Sequence, residues 1–225
     1  MKTLVARIIT GIIYLSVLAL AFFFSNFVLV TVFTIFLIIA LFEYIQLTQK
    51  FPAQKNNTQH IIKKYWLPVV WIFLPVVLLE YWCVILNATN IVVALVIILC
   101  ANDTLAYVFG SLFGKHKMWT KVSPKKSWEG FFGGLLCTLS ASWFIIKIPY
   151  FQSDIFTDPY IWIGFAFVVI IAGTVGDFAE SMIKRYAQQK DSGNILPGHG
   201  GLLDRIDSIL FAVPAGFVYW VIFKI

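Results

Sequence analysis

Seven uninterrupted apolar segments restrict this chain to a membrane fold more strongly than any other feature of its sequence. They are separated by short polar connections and cover residues 8–24, 27–47, 66–86, 91–112, 130–148, 160–180 and 206–224. A helix needs about 20 apolar residues to cross a hydrocarbon core roughly 30 Å thick. Of all residues 60% are apolar and 12% charged, whereas soluble domains carry about 25% charged residues. We therefore predict an all-α, polytopic transmembrane helical bundle with about seven spans, within a range of six to nine.

The segments predict one integral membrane domain over residues 1–225. A membrane β-barrel would show alternating segments of about ten residues, and segments that are apolar on every side satisfy their backbone only as helices. Residues 1–90 would hold the N-terminal spans and residues 91–225 the catalytic portion. The first segment resembles a cleaved signal peptide, but its apolar run continues, so we expect a retained span.

The basic residues alternate between the connections and predict a topology. All but two of the 17 Lys and Arg residues, Lys147 and Lys224, fall at the N-terminus or in the connections after the second, fourth and sixth segments. Positive residues accumulate in short cytoplasmic loops. The N-terminus and the loops 113–129 and 181–205 are therefore predicted to be cytoplasmic. The net charge of +6 gathers at one membrane face, which favours anionic headgroups or soluble phosphorylated compounds and does not indicate nucleic acid.

Charged residues concentrate in the segment 177–207, which follows the sixth apolar run. Asp177, Glu180, Ser181 and Lys184 are spaced to line one face if the sixth span continues as a helix. Ionisable groups at an apolar boundary are costly unless they are paired or bind a metal, so the cluster is a candidate functional site. The alternative is that the acids only pair with neighbouring Lys and Arg residues.

A glycine-rich turn at 197–201 leads directly into Asp204, Arg205 and Asp207 at the start of the last span. Exposed backbone N–H groups before a helix N-terminus bind phosphate well. Carboxylates without a Cys or multiple-His cluster favour Mg²⁺, which takes further ligands from substrate phosphates. Asp177 with Asp204 or Asp207 would supply the protein ligands. His199 alone is either a turn residue or a base.

Two further polar groups precede this segment. If the fourth span ends near Leu112, Asp103 would lie about 14 Å inside it, at 1.5 Å per residue, and would need a polar cavity there. If the span begins earlier, Asp103 would lie at the membrane interface. Ala106, Gly110 and Gly114 predict close helix packing. The stretch 123–130 combines lysines, hydroxyls and a helix-entry pattern, which suits phosphate binding but also an ordinary cytoplasmic loop.

These motifs resemble the phosphatidate cytidylyltransferases, also called CDP-diacylglycerol synthases. The family signature is matched at every fixed position by SMIKR at 181–185, KDSG at 190–193, LPGHGG at 196–201 and DRID at 204–207. The stretches 102–114 and 123–130 also look like the family's patterns, so the resemblance covers roughly residues 100–210.

The resemblance implies transfer of a cytidylyl group from CTP to phosphatidate with Mg²⁺, giving CDP-diacylglycerol and pyrophosphate in phospholipid biosynthesis. On that reading the candidate catalytic residues are Asp177, Lys184, Arg185, His199 and Asp204. The candidate substrate-binding residues are Asp103, Ser123, Lys125, Lys126, Ser181, Gly200, Gly201 and Arg205. The candidate metal ligands are Asp177, Asp204 and Asp207, and Asp103 would hold a second cation or orient Lys126.

Other functions stay open at this point. A relative that cytidylates an ether-lipid or polyprenyl phosphate would share the motifs, whereas a transporter would need charges spread across the bilayer and internal symmetry. Topology and resemblance together predict a bacterial inner membrane with the site facing the cytoplasm. CTP, phosphatidate and the bilayer are the expected partners, and a homodimer is an open alternative.

Overall fold

The computed structural model describes residues 16–17, 20–21, 26–51, 67–151, 158–196 and 200–223, and most of these residues are helical. In chain order the helices are α1 (Asn26–Thr48), α2 (Leu74–Glu80), α3 (Thr89–Phe113), α4 (Trp128–Ile145), α5 (Pro159–Tyr186) and α6 (Leu203–Phe223). One element departs from the all-α prediction. Between α3 and α4, β1 (Lys117–Trp119) and β2 (Ser123–Ser127) pair as a small antiparallel hairpin.

Four helices of the described part, α1, α3, α5 and α6, are long and apolar enough to cross a bilayer. They correspond to four of the seven predicted spans. The segment predicted at 130–148 forms the 18-residue helix α4, and most of the segment 8–24 lies outside the described residues. The structure thus confirms a helical, membrane-compatible chain, and the number of seven spans stays a prediction.

The segment predicted at 66–86 is an interrupted helix. The π-helical turns Val69–Phe73 and Tyr81–Ile85 flank the short helix α2. Pro75 lies in the first turn of α2, where a residue without a backbone N–H cannot continue the regular hydrogen-bond ladder. The longer i→i+5 pattern of a π-turn accommodates such a break.

Aromatic side chains fill the apolar core. The Trp82 ring lies 6.3 Å from Phe165 and 6.1 Å from Trp220 in edge-to-face contacts, and all three side chains are buried. Trp162 Nε1 donates a 2.8 Å hydrogen bond to the carbonyl oxygen of Ser142. Large aromatic rings contribute much of the energy of a core when their polar atoms find partners. This core lies in the first half of α5 and the second half of α6, so the polar residues occupy the opposite ends of both helices.

Small residues bring α3 and α4 into close contact, as predicted. A Cβ atom at Gly130 would lie 2.7 Å from the carbonyl oxygen of Ala106, and one at Gly134 would lie 2.9 Å from the Ala106 Cβ atom. A Cβ atom at Gly110 would approach the Ser127 hydroxyl to 3.2 Å. Since only small residues allow such an approach, this contact sets the hairpin against the C-terminal part of α3.

Several helix ends meet at one end of the bundle. The C-terminal ends of α1 and α5 and the N-terminal end of α6 meet through Glu43, Lys184 and their partners. Asp103 lies ten residues before the end of α3, which corresponds to about 15 Å at 1.5 Å per residue. The basic connections therefore share this end with the acidic residues.

Candidate active site

The C-terminal half of α5 presents its polar residues on one face. The helix extends to Tyr186, so the predicted i, i+3, i+4, i+7 spacing is realised. Ser181 Oγ donates to Asp177 Oδ1 over 3.3 Å. Glu180 is fully buried and Lys184 is 9% exposed. This face of α5 therefore points into the bundle, and the charged side chains of Glu180 and Lys184 are buried there.

Lys184 lies between two carboxylates. Its ammonium group contacts Glu180 Oε2 on the same helix and Asp204 Oδ1 on α6, the latter at 2.6 Å. Buried charges are tolerated when they are paired and hydrogen-bonded. The contact locks the C-terminal part of α5 to the first turn of α6.

Asp204 also organises the segment before α6. Its Oδ2 atom accepts hydrogen bonds from the backbone N–H groups of Gly201 at 2.9 Å and Ser192 at 3.0 Å, and from Ser192 Oγ at 3.1 Å. A carboxylate near the first turn of a helix satisfies N–H groups that lack helical partners. Both oxygens of Asp204 are thus engaged by groups of the chain.

The glycine-rich turn takes a conformation that favours glycine. Gly200 has φ +85°, a left-handed conformation that costs other residues energy. The backbone N–H of Leu196 donates to the Gly200 carbonyl oxygen over 2.9 Å and closes the turn. A Cβ atom at Gly200 would lie 2.9 Å from Asp204 Oδ2. His199, a predicted catalytic residue, lies outside the described residues.

The hairpin brings the second charged stretch against α5. Lys126 Nζ lies 2.5 Å from Asp177 Oδ2 and 4.6 Å from the centre of the Phe178 ring. Arg185 Nε donates to the carbonyl oxygen of Val122 over 3.2 Å. The two charged stretches, separated by about fifty residues in sequence, therefore form one site.

The start of α4 is anchored by two side chains. Ser127 caps the helix by accepting a 3.2 Å hydrogen bond from the Gly130 N–H. Glu129 accepts from the backbone N–H groups of Lys115 and His116. Hydrogen bonds from its own backbone N–H and from the His116 side chain lower the pKa of Glu129 to about 2. These contacts close the loop that carries the hairpin.

Two further carboxylates, Asp103 and Asp207, lie near Asp177. The charges of Asp177 and Asp103 both act on Asp207, and a Cβ atom at Gly176 would lie 2.6 Å from the Asp207 carbonyl oxygen. Asp207 Oδ1 accepts a 2.7 Å hydrogen bond from the Ser208 N–H. Among the described residues, no three acidic, His or Cys side chains converge closely enough to hold a metal by themselves.

A family model described as "Cytidylyltransferase family" matches residues 51–223, which is most of the chain. The chain belongs to the cytidylyltransferase family. The match contains α2 to α6 and the hairpin of the site and leaves α1 outside. The resemblance stated from the signature motifs is confirmed.

Curated relatives are similar in sequence to about half of this chain. The phosphatidate cytidylyltransferase of Staphylococcus aureus (strain COL) is 45% identical over 118 residues, which is 52% of this chain and 44% of the relative. The protein of the same name from Staphylococcus haemolyticus (strain JCSC1435) is 45% identical over 113 residues, which is 50% of this chain and 42% of the relative. The match thus spans less than half the length of these relatives.

Most of the predicted site residues lie together in this family member. Three sets of contacts lie along the C-terminal half of α5. Asp177 contacts Ser181 and Lys126, Lys184 contacts Asp204, which binds Gly201, and Arg185 contacts the hairpin. Ser123 and Lys125 lie on β2, where the Lys125 side chain is exposed, and Arg205 is exposed in the first turn of α6. The roles assigned to these residues stay predictions.

Sequence reasoning missed two residues that complete the site. Glu43 on α1 and Ser192 in the loop after α5 bind each other and the segment before α6. Glu43 interrupts an apolar helix shortly before its end, and a lone acid at such a position is the signal that would have identified it. Ser192 lies in the KDSG motif at 190–193, but the motif does not reveal its contacts, since they depend on the fold of the loop.

Proposed function

We propose that this chain transfers the cytidylyl group of CTP to phosphatidate, forming CDP-diacylglycerol and pyrophosphate. The observation that carries the proposal is the meeting of the stretch 123–130, which looks like a family pattern, with the charged segment 177–207, which contains the family signature, at one end of an apolar bundle. The contact of Lys126 with Asp177 joins them. A lipid phosphate at the membrane surface and a soluble nucleotide would both reach such an end.

The reaction needs charge neutralisation more than proton transfer. An oxygen of the phosphatidate phosphate forms a bond to the α-phosphorus of CTP, and the bond from that phosphorus to the β-phosphate oxygen breaks as pyrophosphate leaves. A phosphate monoester is largely a dianion near pH 7 because its second pKa is about 6. The nucleophile therefore needs no general base, and catalysis consists of positioning two anions and reducing their repulsion.

Basic residues on the hairpin, α5 and α6 suit the binding of these anions. Lys125 and Lys126 lie on the hairpin, and Arg185 and Arg205 lie on α5 and α6. Arg185 is held by the Val122 carbonyl oxygen and by the Gln189 carbonyl oxygen at 3.0 Å. Its position is thus fixed by the hairpin and by the loop after α5. Lys184, paired with two carboxylates, would act by holding Asp204 in place and by adding positive potential.

The carboxylates of the site fit Mg²⁺ by their chemistry. Mg²⁺ prefers oxygen ligands and is usually held by one or two carboxylates together with substrate phosphates. Asp177 and Asp207 suit this role best, because they lie on neighbouring helix segments and their charges interact. Asp204 suits it less, since four hydrogen bonds from the chain engage its two oxygens. Asp177 has one partner on each oxygen, Ser181 on Oδ1 and Lys126 on Oδ2. When bound, the ion would neutralise phosphate charge, and Asp103 would be placed to assist a second cation.

The orientation of the bundle completes the proposal. The ends of α1, α3 and α5 and the start of α6 carry the connections rich in Lys and Arg. The distribution of positive residues favours the cytoplasmic side for these connections. CTP would then be available to the site, and the N-terminus would lie on the same side if seven spans are present.

A turnover measurement tests this function. The full chain, purified in detergent, is incubated with radiolabelled CTP, Mg²⁺ and one lipid phosphate at a time, namely phosphatidate, an ether-linked analogue or a polyprenyl phosphate. We expect lipid-linked cytidylyl product and pyrophosphate in equal amounts with phosphatidate. Product with only one of the other lipids would identify a different substrate in the same reaction class. Absence of product with all three would contradict the proposed function.

A further inference from the structure

Glu43 is an acidic residue in an otherwise apolar helix. It lies on α1, five residues before the helix ends at Thr48, and its side chain is fully buried. Burying a carboxylate is costly unless hydrogen bonds replace its lost hydration. A carboxylate in this position is therefore expected to accept strong hydrogen bonds.

The partners of Glu43 are all in the segment that leads into α6. Glu43 Oε1 accepts from the Leu202 N–H at 3.0 Å, and Oε2 accepts from the Leu203 N–H at 2.8 Å. Oε2 also lies 3.2 Å from the donating hydroxyl of Ser192. The first N–H groups of a helix lack helical acceptors, and a negative charge there is favoured by the helix dipole. Glu43 thus caps α6 from a different helix.

Glu43 and Asp204 form hydrogen bonds with the same two stretches of the chain. Ser192 lies 3.1 Å from Asp204 Oδ2 as well as 3.2 Å from Glu43 Oε2, so the two carboxylates share one hydroxyl. Together they bind Ser192, before the glycine-rich turn, and the backbone N–H groups of 201–203, from the last residue of that turn onwards. The described residues on either side of 197–199 are therefore held by two acids from different helices.

Two glycines leave the space that Glu43 needs. A Cβ atom at Gly193 would lie 2.5 Å from Glu43 Oε1, and one at Gly201 would lie 2.6 Å from Glu43 Oε2. Larger residues at these positions would displace the carboxylate. Gly193 and Gly201 therefore allow the Glu43 carboxylate to approach this segment, whether or not they also contact a ligand.

We propose that Glu43 is a positioning residue for the cytidylyl transfer. It fixes the start of α6 and the glycine-rich turn, and it acts on the reaction through Ser192 and Asp204, which in turn holds Lys184. The inference rests on the proposed function but concerns a residue outside the matched segment 51–223. It implies that α1 is part of the working site and not only a span.

The test compares Glu43→Gln with Glu80→Gln in the full chain. Glutamine has the same shape, but its amide group presents a donor toward one of the N–H or O–H groups that Glu43 accepts. Glu80 is a matched control, since it also lies in an apolar part of the bundle and accepts a 3.1 Å hydrogen bond from Thr34 Oγ1. Thr34 lies nine residues before Glu43 on α1, which is about 14 Å along the helix.

Two readouts separate positioning from a structural role. We expect kcat per folded molecule, with the folded amount measured by size-exclusion chromatography, to fall about 10- to 100-fold in Glu43→Gln, as is typical when a group that orients reactive side chains is altered. The KM values for both substrates should change less than kcat. Hydrogen exchange at 201–203 should accelerate in Glu43→Gln and stay unchanged in Glu80→Gln.

Unchanged kcat per folded molecule in Glu43→Gln would overturn the proposal, even if less folded protein were recovered, because that result describes a residue that only stabilises the fold. Unchanged exchange at 201–203 would also contradict it. Inactivity of the wild-type chain on every lipid phosphate would instead contradict the proposed function. The exchange measurement needs no substrate and reports the contact of Glu43 in that case too.

Discussion

Replacement of Asp177 by Asn is expected to lower kcat about 10²- to 10³-fold, the order of effect found when a main electrostatic contribution to a transition state is removed. Asp177 contacts Lys126 of the hairpin, accepts a hydrogen bond from Ser181 and lies close enough to Asp207 for their charges to interact. An amide keeps the shape and one acceptor oxygen but loses the charge that would bind a divalent ion. The measurement is steady-state turnover of labelled CTP with phosphatidate by the purified variant.

Asp158→Asn is the matched control for this variant. Asp158 caps the opposite end of α5 by accepting a 2.8 Å hydrogen bond from the Tyr160 N–H, and Asn caps helices about as well. The two positions are 19 residues apart on one helix, which is about 28 Å. We expect this control to retain wild-type turnover. Full turnover in Asp177→Asn would remove Asp177 from the reaction.

Replacement of Lys184 by Met is expected to destabilise the bundle by about 3 to 5 kcal/mol, as is typical when one partner of a buried charge pair is removed. The ammonium group contacts Glu180 and Asp204, and both carboxylates are largely shielded from water. The change leaves them close together without their common cation. For a chain of this size, each kcal/mol shifts Tm by about 2 to 4 °C, so thermal unfolding in detergent should show a large decrease.

A second substitution shows whether the unpaired charge is the cause. In the Glu180→Gln/Lys184→Met variant one of the two carboxylates is neutral, and part of the lost Tm should return. Lys147→Met, at an exposed lysine beyond the end of α4, should leave Tm nearly unchanged. A Lys184→Met variant as stable as the Lys147→Met variant would show that the buried contacts contribute no net stability.

The sequence was sufficient to predict the helices and the face of α5. Apolar length identifies α1, α3, α5 and α6, and the spacing of Asp177 and Lys184 places both on one side of α5. Those patterns are local, since they depend only on helix geometry and the bilayer. The spacing of Ala106, Gly110 and Gly114 likewise predicted close helix packing, whereas the partners Gly130 and Gly134 are known only from the fold.

Other features depend on contacts between distant segments. The hairpin at Lys117–Ser127 has no strong strand pattern, because it is short and rich in lysine, and it forms where the ends of α3 and α4 are held together. Asp204 accepts hydrogen bonds from the chain, whereas Asp207 interacts with the charge of Asp177. The spacing of the two residues in the sequence does not reveal this difference. Glu43 is joined to Leu203 across 160 residues of sequence, so only the fold reveals their contact.

Binding of Mn²⁺, observed by electron paramagnetic resonance and competed by Mg²⁺, tests the central claim that Asp177 and Asp207 recruit a divalent ion where two anions must meet. The full chain in detergent is titrated with and without a non-hydrolysable CTP analogue, alongside the Asp177→Asn, Asp207→Asn and Asp158→Asn variants. We expect the wild type and Asp158→Asn to bind Mn²⁺ at a site that the nucleotide strengthens, and Asp177→Asn and Asp207→Asn to lose this site. Equal binding by all four proteins, or binding by none of them, would contradict the recruitment of an ion by Asp177 and Asp207.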